Sequence, residues 1–177
     1  GVWQSRKMAA LKAYNEWMPI RNIDSIPAIK LYRKINIGNL VDLIFVDTRI
    51  TARTEQSLLA SISGVDDSTH YLIGNEQFDW LKNQIKNSTA QWKVMANQVM
   101  VAPFKVFNVA FNSDQWDGYS SERKKLCKII NDDSINNFVV LTGDIHSAWA
   151  NDLPFGKVPY NPWTNKGSVG VEFVTTA

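Results

Sequence analysis

The residues best suited to chemistry stand in the segment Gly-Asp-Ile-His at positions 143–146. It follows an apolar run at 138–141 that predicts a buried strand, and Gly143 lets the backbone turn sharply where that strand ends. In α/β sheets, ligands bind outside the carboxyl ends of the strands. Asp144 and His146 are one residue apart, so in extended backbone their side chains point to the same side and suit a shared metal ion. The alternative is that Asp144 closes a turn and His146 is an ordinary loop residue, because four-residue matches are weak.

A second predicted strand, at 92–100, carries two amides toward its end, Asn97 and Gln98. An amide carbonyl is a good ligand for a hard cation and a poor one for zinc, which makes Gln98 a candidate metal ligand. The competing interpretation is that these amides close the strand end through hydrogen bonds to the backbone.

Two further segments place charge beside predicted strands and turns. Asp114 and Trp116, in DQWDGY at 114–119, suit either a rigid loop at the mouth of a pocket or a turn that buries Trp116. Arg49 follows the apolar run at 43–46 and could present its planar fork to a phosphate, with Asp47 orienting it. The alternative there is a buried structural pair of Asp47 and Arg49.

Composition excludes several other kinds of site and partner. A chain of 177 residues, 45% hydrophobic and 20% charged, is typical of one globular domain with a real core. A net charge of +2 gives no case for a nucleic-acid surface, and the longest apolar runs, four residues, predict no transmembrane segment. One cysteine, Cys127, and two histidines, His70 and His146, exclude a disulfide framework, a cysteine-based zinc site and any site of three imidazoles.

The elements that must position these residues alternate between strands and helices. The sequence predicts a helix at 5–18, with Ser5 as its N-cap and Pro19 ending it, and a hairpin of strands at 31–37 and 40–47. The second hairpin strand is expected to be buried on both faces. Further helices are predicted at 74–87 and 121–130, strands at 137–142 and 168–175, and loops at 21–28, 51–69, 104–119 and 144–166. The pattern is that of an α/β fold whose strands join a larger sheet.

Seven segments, taken in order, resemble the alkaline phosphatase D (PhoD-like) family of metallophosphoesterases. They are YNEWMPIR, DTR, GNEQFDWL, WKVMANQVMVAP, DQWDGY, LTGDIHSAWANDL and VEFVT. The resemblance covers nearly the whole chain and is weakest at 51–72. Many relatives in the wider superfamily carry one strand ending in Gly-His and a later one ending in Gly-His-x-His. Gln98 stands where the first histidine would fall, and Asp144 and His146 stand where the later pair begins and ends.

The resemblance implies a fold, an activity and a set of site residues. The fold would be the C-terminal portion of a calcineurin-like sandwich of two mixed β-sheets flanked by helices. The activity would be metal-dependent hydrolysis of phosphate monoesters or diesters, with iron and calcium as the metals, although other divalent ions also fit. The implied residues are Asp144, His146 and Arg49 for catalysis, Asp144, His146 and Gln98 for metal, and Asp114, Trp116 and Trp149 for the substrate pocket.

The Gly-Asp-x-x-Asp and Asp-Asp-His-Glu motifs expected early in such an enzyme occur nowhere in these residues. We therefore expect residues 1–177 to form a single partial domain that is inactive alone, because one Asp, one His and one Gln are too few ligands for two ions. Its expected partners are a phosphate ester, the missing N-terminal part of the domain, and further copies of itself through exposed sheet edges.

Two further expectations concern location and the rival class of function. No targeting segment is seen at the start of the chain, and the resemblance implies export to the bacterial periplasm or exterior. The alternative function is a non-catalytic module on the same fold. It would be either a binding module, in which Trp116, Trp149 and Trp163 grip a glycan or lipid head group, or a structural or interaction domain whose amides and Asp close strand ends.

Overall fold

The computed structural model describes residues 2–20, 30–56, 69–106, 109–110, 112–155 and 159–176. Its helices are α1 (Val2–Trp17), α2 (Gly74–Lys86), a 3₁₀ turn (Trp116–Tyr119) and α3 (Ser120–Asp132). Its strands are β1 (Arg33–Ile37), β2 (Val41–Phe45), β3 (Trp92–Asn97), β4 (Lys105–Val106), β5 (Val109–Ala110), β6 (Phe138–Thr142), β7 (Trp149–Pro154) and β8 (Ser168–Val174).

Six of these strands form one mixed sheet in the order β1-β2-β3-β6-β8-β7, and β4 and β5 pair separately. The four central strands are parallel, and β1 and β7 close the two edges in antiparallel pairing. Parallel neighbours need a crossover connection, which α2 supplies between β2 and β3 and α3 between β3 and β6. The loops that follow β2, β3 and β6 therefore leave the sheet at one shared edge.

One face of this sheet is fully covered. A row of residues in register across the four parallel strands is completely buried: Ile44, Met95, Val140 and Glu172. The apolar residues of α2 and α3 join the same core, including Leu81, Ile85, Leu126 and Ile130. Three of the four side chains in the row are hydrocarbon or thioether, and the fourth is a carboxylate, which has to find hydrogen-bond donors inside the protein.

The opposite face is apolar but only partly covered by the described residues. Leu141 and Phe173 are paired neighbours there and remain 44% and 51% exposed. Leu43 and Phe45 of β2 also lie on this face and are half-buried, so the prediction that this strand is buried on both faces is wrong. Helices α2 and α3 pack on the side from which Ile44 projects, whereas Leu11 and Tyr14 of α1 line a cavity with Phe45 on the opposite side.

Several predicted elements are confirmed, and others differ for identifiable reasons. The β1–β2 hairpin, both crossover helices and the four parallel strands lie within a few residues of their predicted positions. The first helix begins at Val2, so Ser5 lies inside it and is not its N-cap. The predicted loop at 144–166 contains β7, and the loop at 104–119 contains β4, β5 and the 3₁₀ turn. The predicted loop at 21–28 and residues 57–68 of the loop at 51–69 lie outside the described residues.

The start of α2 is stabilised by a carboxylate from another helix. Glu122 of α3 is buried and accepts hydrogen bonds from the main-chain N–H groups of Leu72, Ile73 and Gly74, at 2.7, 3.0 and 3.1 Å. The last two are the N–H groups of the N-cap and the first residue of α2, which the helix cannot satisfy internally. Burial raises the pKa of Glu122 and outweighs the opposing effect of these hydrogen bonds. A single side chain thus ties the two crossover helices together.

Candidate active site at the carboxyl edge of the sheet

The loop after β2 is shaped by the carboxylate of Asp47. Asp47 accepts hydrogen bonds from the main-chain N–H groups of Arg49, Ile50 and Thr51, at 2.9, 3.0 and 2.8 Å, and its own main-chain N–H donates to Gln77 Oε1 at 2.6 Å. Such local side-chain-to-backbone bonding is typical of an Asp that closes a turn. Asp47 therefore orders the main chain around Arg49. Both sequence interpretations, a carboxylate that orients the Arg49 guanidinium and a structural ion pair with it, are wrong.

The Arg49 side chain instead bridges two distant aspartates. Its Nη1 donates to Asp114 Oδ2 at 2.7 Å and its Nη2 donates to Asp144 Oδ1 at 2.9 Å. Burial opposes the charge of Arg49, but the two carboxylates outweigh it and raise its pKa above the ordinary arginine value. The structure thus brings together three of the predicted site residues, from three separate parts of the chain.

A second arginine, Arg53, completes this cluster and was not singled out from the sequence. Its Nη2 donates to Asp114 Oδ1 at 2.5 Å and to the Asp114 main-chain oxygen at 3.0 Å. Its guanidinium lies over the Tyr119 ring, 5.3 Å from the centroid. The available sequence signal was an arginine four residues beyond Arg49, but its partner is 61 positions away and no local pattern identifies it.

The Gln98 amide is close to this cluster, but its hydrogen bonds are made to Thr48 and to the main chain of Val46. Its Oε1 accepts hydrogen bonds from the Thr48 N–H and hydroxyl, both at 2.8 Å, and its Nε2 donates to the Val46 main-chain oxygen at 2.7 Å. An amide oxygen has two lone pairs, and both are used here. Gln98 therefore closes the strand end, as the competing interpretation held, and its predicted role as a metal ligand is not supported by this geometry.

Asp144 and His146 are both exposed, and both have left-handed backbone, with φ of 75° and 58°. The residue between them, Ile145, donates its N–H to the Gly143 main-chain oxygen at 3.0 Å. The segment is therefore a tight turn. The prediction of extended backbone here, with both side chains on the same side, is wrong. Two non-glycine residues at positive φ within three positions are strained, and such strain clusters at functional sites.

Few side-chain atoms at this edge are available to coordinate a metal ion. Within the described ranges, no residue hydrogen-bonds to the His146 imidazole or to Asp144 Oδ2. Across the same part of the chain, no group of three or more His, Cys, Asp or Glu side chains is placed to hold a metal ion. Asp144 and His146 are thus open donors of the right chemical type but too few to complete a site.

The predicted pocket residues Trp116 and Trp149 have different surroundings. Trp116 is 0% exposed, and its indole N–H donates to Asn97 Oδ1 at 3.3 Å. It is a core residue that cannot line a pocket mouth, so the alternative of a turn that buries it is correct. Trp149 is partly exposed, donates its indole N–H to Ser147 Oγ at 2.6 Å, and packs against Phe104 with ring centroids 5.3 Å apart.

Glu172 is a second buried carboxylate that supports this edge of the sheet and was also missed. It accepts hydrogen bonds from the main-chain N–H groups of Val101 and Ala102, both at 2.8 Å, and from the Thr142 hydroxyl at 2.6 Å. Burial raises its pKa, against the effect of these donors. Glu172 therefore joins β8, the segment after β3 and the end of β6, two residues before Asp144 in the chain.

Comparison with known proteins bears on the whole chain. A family model described as PhoD-like phosphatase matches residues 1–177. This chain belongs to the PhoD-like phosphatase family. The match confirms the family predicted from the seven sequence segments.

This PhoD-like chain matches part of two longer relatives. It is 35% identical over 180 residues to alkaline phosphatase D of Bacillus subtilis (strain 168), covering 97% of this chain and 30% of that protein. A solved structure named "Structure of PhoD" superposes with a TM-score of 0.81 at 34% identity, covering 97% of this chain and 34% of that one. The PhoD-like chain thus spans about a third of the length of these relatives. Among its described helices, none combines the length and apolar character needed to cross a bilayer.

Proposed function

We propose that this PhoD-like chain is part of a metal-dependent hydrolase of phosphate monoesters or diesters, with Asp144 and His146 as metal ligands. The observation that carries the proposal is the position of Asp144 at the carboxyl edge of the sheet. Arg49 holds its Oδ1, whereas Oδ2 accepts no hydrogen bond from the described residues. A carboxylate fixed through one oxygen presents the other to a cation at little further entropic cost.

The donor types support iron and calcium as the metals, while other divalent ions remain compatible. Carboxylate oxygen suits calcium, and carboxylate with imidazole suits iron. Cys127 is buried and burial raises its pKa to about 11, so no thiolate competes for this role. When bound, such ions make a water molecule nucleophilic at neutral pH and neutralise charge on phosphoryl oxygens. Two donors do not fill a metal site, and we propose that the remaining ligands come from outside the described residues.

The roles of the other residues follow from their contacts. Arg49 uses both terminal nitrogens on carboxylates, which favours bracing of Asp144 over direct steering of a phosphate. Asp114 lies between two arginines and pairs with both, so we assign it to the support of the site rather than to the pocket mouth. Trp149 lies just beyond the turn of Asp144 and His146 and is the pocket residue we retain.

We further propose that residues 1–177 form one partial catalytic domain, with its open sheet face packed against a second sheet as in a calcineurin-like sandwich. Two observations support this: the exposed apolar pair Leu141 and Phe173 on that face, and relatives roughly three times as long. A second sheet is the expected partner. The isolated chain is expected to self-associate through this face, in place of the sheet edges predicted from the sequence. Export to the bacterial periplasm or exterior is proposed by family analogy alone.

The alternative function, a binding module that grips its ligand with tryptophans, is not favoured. Of the three tryptophans it invokes, Trp116 is fully buried and cannot contact a ligand. The three tryptophans therefore do not form one exposed surface, although Trp149 and Trp163 are themselves exposed.

The experiment that tests the hydrolase proposal compares site variants with a matched carboxylate control. The full-length protein is assayed with chromogenic phosphate monoesters and diesters, with iron and calcium supplied or removed by a chelator. We expect Asp144→Asn and His146→Ala to reduce hydrolysis to background, and Asp79→Asn, which removes an exposed carboxylate on α2, to leave it unchanged. Residues 1–177 alone are expected to show no turnover. Hydrolysis that survives both the chelator and the two site substitutions would refute the proposal.

A further inference from the structure

Four charged side chains at the carboxyl edge form a cluster in which positive and negative groups alternate. In order of contact they are Arg53, Asp114, Arg49 and Asp144, and each neighbouring pair is joined by a hydrogen bond of 2.5–2.9 Å. Their charges sum to zero, so the cluster satisfies itself without a bound ion. We propose that Arg53 is a positioning residue, which fixes Asp114 and through it the Arg49 guanidinium that orients Asp144. This inference rests on the proposed role of Asp144 as a metal ligand.

The burial of the four side chains indicates which end of the cluster holds the other end in place. The Arg53 side chain is only 13% exposed, whereas those of Arg49 and Asp144 are 35% and 43% exposed. An exposed ion pair by itself contributes little and samples several geometries, because water screens it and two side chains must be held still. The Arg49–Asp144 pair therefore needs a fixed support, which lies at the buried end of the cluster.

Arg53 has the contacts expected of that support. Its Nη2 reaches both Asp114 Oδ1 and the Asp114 main-chain oxygen, so it holds the side chain and the backbone of one residue together. Its guanidinium is backed by the Tyr119 ring, whose hydroxyl is anchored on the Thr54 main-chain oxygen at 3.1 Å. A planar guanidinium suits this arrangement and an ammonium does not, because only the former combines a rigid fork with stacking on a ring.

Asp114 transmits the constraint because its two oxygens have separate partners. Oδ1 is held by Arg53 and Oδ2 by Arg49. Without Arg53 the Asp114 carboxylate is free to rotate away from Arg49. The three remaining charges then sum to −1, which by itself favours a cation, so a loss of calcium affinity would report the loss of orientation. Arg49 would then no longer be held in the position from which its Nη2 meets Asp144 Oδ1. Loss of the residue that hydrogen-bonds to a metal ligand, as Arg49 does to Asp144, typically weakens metal binding by roughly 10–100-fold, and this range is the upper limit for Arg53.

The test measures binding of calcium alone to the full-length protein by calorimetry, and it uses a double-mutant cycle. We expect Arg49→Gln to weaken calcium binding by about tenfold or more, and Arg53→Gln, which acts through Asp114 and Arg49, to weaken it by no more than that. Because Arg53 acts through Arg49, the double variant should bind calcium no more weakly than Arg49→Gln alone. Arg53→Lys should recover only part of the affinity, since it restores charge without the fork, and it replaces Arg53→Gln if that variant does not fold.

Arg123 offers a matched control for simple loss of a buried ion pair. It is also 13% exposed and pairs with the buried Asp117, but it hydrogen-bonds to none of the residues in the cluster. Arg123→Gln should therefore lower stability and leave calcium affinity unchanged. Parent-like affinity in Arg53→Gln, or a penalty that persists undiminished in the Arg49→Gln background, would overturn the positioning role while leaving the hydrolase proposal intact. A parent protein that binds no calcium would refute calcium ligation at Asp144 and the positioning role together.

Discussion

Glu172→Gln is the substitution that most directly tests how the carboxyl edge is supported. The side chain is completely buried, and its two oxygens accept three hydrogen bonds, two at Oε1 and one at Oε2. Glutamine has nearly the same shape but only one accepting oxygen. In its better orientation it keeps the bonds from the Val101 N–H and the Thr142 hydroxyl and turns its NH₂ group toward the Ala102 N–H.

The expected cost follows from that one lost acceptor. A buried donor left without a partner costs about 1–3 kcal/mol, so Glu172→Gln should lower the free energy of unfolding by this amount. For a domain of this size each kcal/mol corresponds to roughly 2–4 °C, which predicts a melting temperature lower by about 2–12 °C. Thermal unfolding followed by circular dichroism measures the change. Glu55→Gln, which alters an exposed carboxylate, is the matched control and should melt with the parent.

The pH dependence of the same pair of proteins provides a second measurement. Burial raises the pKa of Glu172, so the folded protein holds its proton more tightly than the unfolded chain does. The corresponding stabilisation is fully present below the ordinary glutamate pKa and is lost as pH rises through the higher folded-state pKa. The stability advantage of the parent over Glu172→Gln should therefore be larger at about pH 4 than at about pH 7. A variant that melts with the parent at both values would refute this account of the carboxylate.

Three further outcomes are expected from other parts of the structure. Gly118→Ala would place a Cβ 2.0 Å from the Ser113 main-chain oxygen and should lower the free energy of unfolding by about 1–3 kcal/mol or more. Gly143→Ala meets nothing within 4 Å and should change the free energy of unfolding by less than about 0.5 kcal/mol. Urea titrations of the two variants compare these effects, and equal midpoints would contradict the clash at Gly118. Glu122→Ala leaves three buried N–H groups at the start of α2 without an acceptor and should cost at least about 3 kcal/mol in the same titration; a loss below 1 kcal/mol would show that water replaces the carboxylate. Phe173→Ser on the open sheet face should reduce self-association of the isolated chain, measured by light scattering, and an unchanged apparent mass would argue against that face as the contact.

The sequence by itself determined most of the regular structure. Apolar runs such as 138–141 and the helical spacing in 74–87 depend on periodicity within one segment, and that is enough to locate strands and helices of an α/β fold. The family was also readable, because its motifs are local and occur in a fixed order. The strand β7 was missed because its sequence, WANDLP, contains residues that disfavour strands. It is a strand because β8 pairs with it, and Pro154 is tolerated because β7 lies at the sheet edge.

Only the tertiary structure decided what the polar side chains at the carboxyl edge do. From the sequence, Gln98 suited a metal and Asp47 suited Arg49, since residue type and position were all that could be weighed. In the fold, the Gln98 side-chain oxygen accepts hydrogen bonds from Thr48. Arg49 donates to Asp114 and Asp144, which are 65 and 95 positions away. The physical reason is that a hydrogen bond acts over about 3 Å in space. Its partners therefore depend on which strand ends the sheet brings to one edge, and no local sequence pattern determines the order of the strands.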